Sequence, residues 1–265
     1  MDLASVIGII IGVLAIFGIQ LFNPGSLSLI LQPSAAIVVL GGTLGAVLIN
    51  FSMPAVISAF KSAGKVFIDP KEDTLTVIEQ VIESARLARR AGILSLQDIV
   101  DSIDNKFLSR GIQLIIDTNN TKLLHDILAT EIRLDEEHGI SGARVFEAIG
   151  GFAPTFGIVG AVLGLIQVMG NLQDPSLLGH GIATAFVSTV YGVGLANLIF
   201  LPIAGKLKMR LREDIILKEM ILQGLISIQL GENPAIIEEK LLSFLNFSHR
   251  QSYFFSAYNE NQEAI

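Results

Sequence analysis

The sequence contains no cysteine and no tryptophan in 265 residues, and only 16% of its residues are charged. Without cysteine, the chain can form no disulfide, thiolate nucleophile or cysteine-ligated metal site. Soluble globular proteins have about a quarter of their residues charged, so the low charge indicates a membrane protein. The net charge is −7 and no concentrated basic face is present, which argues against nucleic acid as a partner.

Long uncharged apolar runs account for the low charge, and each has about the ~20 residues that a helix needs to cross a bilayer. We predict an all-α membrane protein in which four transmembrane helices occupy residues 3–22, 33–51, 149–172 and 181–204. We expect the first run to be retained as a span, because no basic segment precedes it and no signal-peptide cleavage site follows. The remaining residues are predicted to form a helical domain at 52–148 and C-terminal helices with a loose tail at 205–265.

The basic residues predict the orientation of the spans. Of the 18 lysines and arginines, eleven lie between Lys61 and Arg144 and seven between Lys206 and Arg250, while the short connections at 23–32 and 173–180 have none. Because positive residues stay on the cytoplasmic side, both termini and the long middle segment are predicted to be cytoplasmic.

The predicted cytoplasmic segments show helical periodicity. Over 72–92 an apolar stripe at helical spacing is formed by Leu75, Ile78, Ile82, Ala85 and Ala88, and we expect Gly92 to end this helix. A second apolar stripe over 120–139 predicts a helix that ends at Gly139. A second helix is expected to run from Ala143 into the third span, and the fourth span to continue outward past Lys206. Asn233 followed by Pro234 predicts the start of a last helix.

Small residues recur every four positions in three spans. They are Ala153, Gly157 and Ala161, with Gly160 and Gly164, in the third span; Thr184, Ser188, Gly192 and Ala196 in the fourth; and Gly41 and Gly45 in the second. Small residues let membrane helices approach closely. Two interpretations stay open, ordinary packing within one bundle and contacts between subunits or with a partner helix.

Two prolines interrupt the spans, and ionisable groups are missing from them. Pro154 and Pro202, which we expect near the cytoplasmic ends of their spans at similar depth, each remove a backbone hydrogen bond, which indicates either a simple kink or a functional joint. Membrane transport usually marks a span with a charged residue, but these spans have none, with Glu147 and His180 only at the rims. The polar candidates for an ion path inside the spans are the hydroxyls of Thr155, Thr184, Ser188, Thr189 and Tyr191. If the protein conducts ions, a partner must therefore supply the carboxylate.

Four segments of the sequence resemble one protein family. The run that begins APTFGIVGAVLG and ends LPIAGKLK (153–208) is similar to the MotA/TolQ/ExbB proton channel family, and within it to the flagellar stator A subunits. VVLGGTLGAVL (38–48), ARRAGILSLQD (88–98) and GENP (231–234) support the stator type. The likeness covers roughly residues 1–245. Members of the ExbB and TolQ type have one span before the cytoplasmic loop, where two are predicted here.

The resemblance implies a function and partners. It implies a multi-pass protein of the bacterial inner membrane that forms a homo-oligomeric ring, a pentamer, around a MotB-like single-span subunit carrying the membrane aspartate. Ion flux would drive rotation against the rotor protein FliG, with membrane lipid around the ring and no cofactor beyond the transported ion. The alternatives are an ExbB/TolQ-type energy-transducing subunit and a non-conducting membrane scaffold. An enzyme is not expected, because no catalytic constellation, phosphate loop or metal-ligand spacing is evident.

The resemblance also assigns residues. Pro154 and Pro202 match the family's coupling prolines, and Thr189 matches a threonine near the ion path, where Ser188 and Tyr191 add hydroxyls. Ala161 stands where sodium-type members tend to have threonine, which favours protons over sodium.

The match at the rotor-facing residues is less complete. Arg89 and Arg90 match the basic residues that face the rotor. The family's acidic rotor residue falls on Gln97, so we expect the adjacent Asp98 to replace it.

Two other groups have simpler interpretations. Asp135, Glu136, Glu137 and His138 could suggest a metal site, but consecutive residues of a helix point in different directions, so a solvated helix end is favoured. His180 at the outer rim is interpreted as a solvated interfacial histidine. No metal site is predicted.

Overall fold

A computed structural model of the chain describes residues 7, 8, 10–15, 18, 30–67, 74–170, 172, 173 and 175–245. Within these ranges the chain is built of helices and turns and contains no strand, which confirms the predicted all-α class. The predicted first span, 3–22, lies largely outside the described residues, although 7, 8, 10–15 and 18 are helical. The tail 246–265 lies entirely outside them.

The described helices follow one another with short connections. We number them α1 (Pro33–Asn50, with a π-helical stretch Ile37–Gly41), α2 (Met53–Phe67), α3 (Thr74–Ala91), α4 (Lys106–Asp117), α5 (Thr121–Gly170), α6 (Pro175–Leu195), α7 (Leu201–Gln229) and α8 (Pro234–Leu242). Two 3₁₀ segments, Ile93–Asp98 and Val100–Ser102, link α3 to α4, and a π-helical stretch, Ala196–Phe200, joins α6 to α7.

Within the part of the chain that the structure describes, three stretches are long and apolar enough to cross a membrane, namely Pro33–Asn50, Thr121–Gly170 and Leu178–Gln229. They overlap the second, third and fourth predicted spans. The chain divides into two compact units, the first formed by Met1–Asp69 and His138–Arg210 and the second by Pro70–Glu137 and Leu211–Ile265.

The second unit has a core of large aliphatic side chains. The stripe predicted on α3 is confirmed, because Ile78, Ile82 and Ala85 are buried. Leu124, Leu128 and Ile132 of α5 are buried in the same cluster as Leu108, Ile112 and Leu225. Asparagines begin two helices here: Asn105 Oδ1 accepts the amide of Leu108 at 2.8 Å, and Asn233 Oδ1 accepts the amide of Ala235 at 3.3 Å. The predicted start at Asn233 and Pro234 is therefore confirmed.

Two glycines end helices with a positive φ. Gly92 has φ 86° immediately after α3, and Gly231 has φ 70° after α7, where the amide of Glu232 bonds back to the carbonyl of Ser227 at 3.1 Å. Glycine enters this left-handed region without steric cost, so it terminates helices well. The predicted stop at Gly92 is confirmed.

The predicted stop at Gly139 is wrong. Helix α5 runs through this residue without a break, so the two helices expected at 120–139 and from Ala143 are one. A glycine within a helix costs only about 1 kcal/mol relative to alanine. Buried residues on both sides, Ile132 before it and Ala143, Val145 and Phe146 after it, outweigh that cost.

The first unit has a smaller apolar cluster near the predicted cytoplasmic ends of its spans. Val47 of α1, Val56 and Ala59 of α2 and Phe146 of α5 are buried there. The Phe146 ring meets Phe60 edge to face, with centroids 5.3 Å apart. This cluster packs α2 against the helices that continue into the predicted spans.

Candidate ion-path site

Helices α5 and α6 contact each other through backbone atoms. A methyl group placed on Gly157 would lie 2.9 Å from the carbonyl oxygen of Ser188, and one on Gly192 would lie 2.5 Å from the carbonyl oxygen of Ala153. A methyl group on Gly164 would lie 2.7 Å from the amide nitrogen of Ala185. The small-residue faces of the third and fourth predicted spans therefore pack against each other within one subunit.

The second predicted span differs from this pattern. A methyl group placed on Gly41 or Gly45 would have no atom of the described structure within 4 Å, so their face is open. The neighbouring Gly42 is the close contact instead, since the Phe156 ring of α5 lies directly against it. Of the three small-residue faces, the pair on α1 is the one that no described residue covers.

Three assigned residues lie on one flank of the α5–α6 pair. Gly160 faces Ser188 across the contact. Ala161 follows Gly160, and Thr189 follows Ser188. A step of one residue is a rotation of about 100° around the axis of an α-helix. Because the two helices are antiparallel, these rotations lead to the same side. Pro154 follows the contact residue Ala153 in the same way. Ala161, Thr189 and Pro154 are all half-buried, which fits a flank that is partly open.

The hydroxyls of this region are bonded to backbone carbonyls. Ser188 is fully buried and donates to the carbonyl of Thr184 at 2.7 Å, and Thr189 donates to that of Ala185 at 3.3 Å. The Tyr191 hydroxyl donates to the carbonyl of Ile30 at 2.6 Å. A hydroxyl that has donated its proton keeps lone pairs for a second partner. Thr189 can therefore still accept a hydrogen bond or contact a cation, whereas Ser188 is enclosed by the helix contact and Tyr191 links α6 to the segment before α1.

An open groove of about 450 Å³ runs along the side of α6 away from Ser188 and Gly192. Its lining consists of Thr189, Val190, Val193, Gly194, Asn197 and Leu198. Thr189 thus lies at the edge between the helix contact and the groove. The groove lining contains no ionisable side chain, so this surface cannot itself titrate.

The two prolines have different local structures, although the sequence suggested equivalent roles. Pro154 lies inside the continuous helix α5. Pro202 follows the π-helical stretch Ala196–Phe200, in which the amide of Leu201 bonds to the carbonyl of Ala196. The Asn197 side-chain amide donates to the carbonyl of Val193 at 3.0 Å, which compensates the altered ladder. Such π-bulges are frequent at functional sites.

The two prolines also lie at different depths. Gly150, one helical turn before Pro154, contacts the side chain of Leu201, the residue before Pro202. Pro202 is therefore about one turn nearer the predicted cytoplasmic end, and the expectation of similar depth needs that correction. Sequence reasoning missed the π-bulge and Asn197; a proline five residues after an asparagine in a span was the available signal.

The residues assigned to the rotor contact are on the surface of the second unit. Arg89 and Arg90 are exposed in the last turn of α3, and Gln97 and Asp98 are exposed at the end of the first 3₁₀ segment. Among the described residues, no carboxylate forms an ion pair with either arginine. The charged ends of these side chains are therefore available to a partner.

The suspected acidic cluster has a structural role at one member. Asp135 accepts a hydrogen bond from Lys218 at 2.9 Å, and Lys218 also bonds to Asp214 at 2.7 Å. Partial burial lowers the pKa of Lys218, but the hydrogen bonds that it donates to Asp214 and Asp135 outweigh this effect and raise the pKa above its ordinary value. Glu136, Glu137 and His138 are exposed. Asp135 therefore joins α5 to α7.

Comparison with known proteins identifies the family. Residues 99–220 match the MotA/TolQ/ExbB proton channel family, and residues 6–92 match the motility protein A N-terminal family. The chemotaxis protein PomA of Vibrio alginolyticus is 33% identical over 250 residues, which cover 94% of this chain and 98% of PomA. Motility protein A of Bacillus subtilis is 33% identical over 258 residues, covering 96% of this chain and 94% of that protein.

Solved structures give the same result. The structure of C. jejuni MotAB superimposes with a TM-score of 0.86 at 29% identity, covering 93% of this chain and 97% of the compared chain. The flagellar MotAB stator complex of Bacillus subtilis also gives 0.86, at 31% identity, covering 95% and 99%. These relatives are stator and channel subunits rather than enzymes, and the apolar helices agree with a multi-pass membrane protein. The chain belongs to the MotA/TolQ/ExbB proton channel family, as a member of its motility protein A type.

Proposed function

We propose that this chain is the A subunit of a flagellar stator, which forms a ring, a pentamer, around a MotB-like single-span partner in the bacterial inner membrane. The observation that carries the proposal is the flank of α5 and α6. Thr189, Ala161 and Pro154 share this flank, and none of the three has a titrating group. A conducting path across hydrocarbon needs such a group, so the partner helix supplies a carboxylate next to this flank.

The transported ion in this proposal is the proton, and no cofactor is involved. A sodium ion in a membrane site replaces its water with several protein oxygens, such as free backbone carbonyls. On this flank Ala161 contributes a methyl group where a hydroxyl would be the natural ligand, and Thr189 contributes one oxygen. A proton needs only the partner's carboxylate and a neighbouring hydroxyl or water.

Coupling to the rotor follows from the two prolines and from the exposed surface of the second unit. One unit charge that crosses 100 mV releases about 2.3 kcal/mol, so each step must be small and frequent. Pro154 on the ion-path flank and the π-bulge before Pro202 weaken the helix ladders where a step could begin. Arg89, Arg90 and Asp98 are the groups that contact FliG in this proposal, with both termini and the second unit on the cytoplasmic side.

The experiment is a complementation assay with co-purification. The tagged full chain should retain a single-span protein with an aspartate just inside its membrane segment. We expect Pro154→Leu to leave this complex intact and to abolish swimming, because helix α5 keeps its contacts but loses the joint. Pro54→Leu, an exposed proline outside the flank, is the matched control and should swim normally. Normal swimming of Pro154→Leu would contradict the coupling role, and absence of a partner would favour the scaffold alternative.

The ion is tested separately. Replacing sodium with potassium at constant proton-motive force should leave the swimming speed of the complemented cells unchanged. A stall in potassium would overturn the assignment of protons while leaving the stator assignment in place.

A further inference from the structure

Helix α2 has two adjacent apolar faces, of which one is buried and the other is about half exposed, with the Phe60 ring edge to face with the Phe146 ring. Val56 and Ala59 are buried against Phe146 and the rest of the first unit's cluster. On the neighbouring face Met53, Ile57 and Phe60 are 56%, 49% and 48% exposed. Their spacing of four and three residues makes a continuous stripe along the helix. Protein atoms of the described chain therefore leave about half of each of these three side chains uncovered.

The remaining side of α2 is polar and positively charged. Ser58 and Lys61 are exposed, and Lys61 lies one turn after Ile57, at the border of the apolar stripe. Between residues 51 and 68 the sequence has two lysines, Lys61 and Lys65, and no acidic residue. Within the described ranges no carboxylate forms an ion pair with Lys61. An apolar stripe bordered by lysines is the pattern of a helix that lies in a membrane interface.

The position of α2 in the chain places it at the membrane surface. Only Phe51 and Ser52 separate it from α1, which is apolar enough to span the bilayer. A helix that begins two residues after a span starts where the hydrocarbon meets the headgroups. By the orientation in the proposed function, this is the cytoplasmic leaflet, whose anionic lipids attract basic segments next to a span.

We infer that α2 is a binding site for anionic phospholipid of the cytoplasmic leaflet. Met53, Ile57 and Phe60 enter the boundary of the acyl chains, and Lys61 contacts the headgroup phosphate. Charge decides between lipid and a second copy of the same face, because two copies of this face would bring their lysines together. The inference rests on the proposed orientation but not on ion conduction.

Tryptophan scanning tests the apolar half of the site, since the chain has no tryptophan of its own. The full chain, purified with whatever partner it retains, carries Ile57→Trp or the matched control Ser58→Trp and is reconstituted into vesicles with brominated acyl chains. We expect strong quenching at position 57 and weak quenching at position 58, after subtraction of the unsubstituted complex. Equal quenching, or protection of position 57 from both bromolipid and aqueous iodide, would overturn the inference, the latter by indicating a protein contact.

The charged half is tested by spin-labelled phosphatidylglycerol and phosphatidylcholine in the same vesicles. Lys61→Gln should lower the preference for phosphatidylglycerol about five-fold, the equivalent of about 1 kcal/mol per surface lysine. Lys122→Gln, an exposed lysine of the second unit, should leave it unchanged. An unchanged preference in Lys61→Gln would overturn the anionic site. Swimming and partner retention, which test the proposed function, are separate readouts in each variant.

Discussion

The two units use large and small side chains in opposite ways. In the second unit the buried residues are large, such as Leu108, Ile112 and Leu225 at 0% exposure. In the first unit the helix contact is made by glycine, alanine and serine, while Ile158 and Phe186 are 60% and 72% exposed. Water expels large apolar groups at about 25 cal/mol per Å², whereas lipid does not. Membrane helices therefore associate through close backbone approach.

Charge follows the same division. Ion pairs in the second unit include Arg110–Glu131, Lys240–Glu232 and the Lys218 network. In the first unit the described ion pair Lys208–Glu147 lies outside the predicted spans. These ion pairs thus lie where water surrounds the protein. The described residues of the α5–α6 flank form no ion pair, so this surface has no charge of its own to oppose the charge of a partner.

The largest expected difference between the units comes from truncating one leucine in each of them. Leu108→Ala removes a side chain buried at 0% exposure and should lower the free energy of unfolding by about 2–5 kcal/mol. Leu165→Ala removes a side chain that is 53% exposed in the third span and should change it little. Thermal melts of the purified protein in detergent measure both. Equal losses would break the comparison, because they would show that large side chains stabilise both units alike.

Adding one methyl group should destabilise the first unit where its helices meet through small residues. In Gly192→Ala the new Cβ lies 2.5 Å from the carbonyl oxygen of Ala153 and 3.0 Å from Cα of Gly157, so α5 and α6 must separate. We expect a cost of about 1–3 kcal/mol, typical of overpacking. Gly151→Ala has nothing within 4 Å of its Cβ and should be neutral or slightly stabilising. The melting temperature of each variant provides the measurement, and a neutral Gly192→Ala would contradict the close contact.

Sequence periodicity predicted much of both units, for physical reasons that also explain the failures. The stripe on α3, the stop at Gly92 and the cap at Asn233 depend on local chemistry, and the structure confirms each. Gly139 failed as a stop because the burial of α5 residues on both sides of it overrode a weak local preference. The π-bulge before Pro202 arises from a rearranged hydrogen-bond ladder, which apolar periodicity does not encode.

The candidate site was predictable as a set of residues but not as an arrangement. Spacing by four grouped Gly157 with Ala161, although the structure buries the glycine against α6 and leaves the alanine on the open flank. The partner role of Asp135 was also missed, since Lys218 is 83 residues away in the sequence. Contacts of this range depend on helix crossing, and a single sequence gives no measure of it.

The smallest expected effect concerns the ion pairs of Lys218 with Asp135 and Asp214, which test how much charge contributes to the stability of the second unit. The side chain of Lys218 is 17% exposed, but its partners Asp135 and Asp214 are about half exposed, so solvent screens the pair. Lys218→Met should therefore cost only about 1 kcal/mol, while Lys122→Met, at an exposed lysine of the same unit, should cost nothing measurable.

The pH dependence of this difference identifies its origin. Because folding raises the pKa of Lys218 above its ordinary value near 10.5, the stabilisation is fully present below that value and is lost as the pH rises through the folded pKa. The difference in unfolding free energy between wild type and Lys218→Met should stay constant from neutral pH to about 10 and shrink above it. A difference that persists at higher pH would show that Lys218 stabilises the second unit by packing, as the buried leucines do, and not through its ion pairs with Asp135 and Asp214.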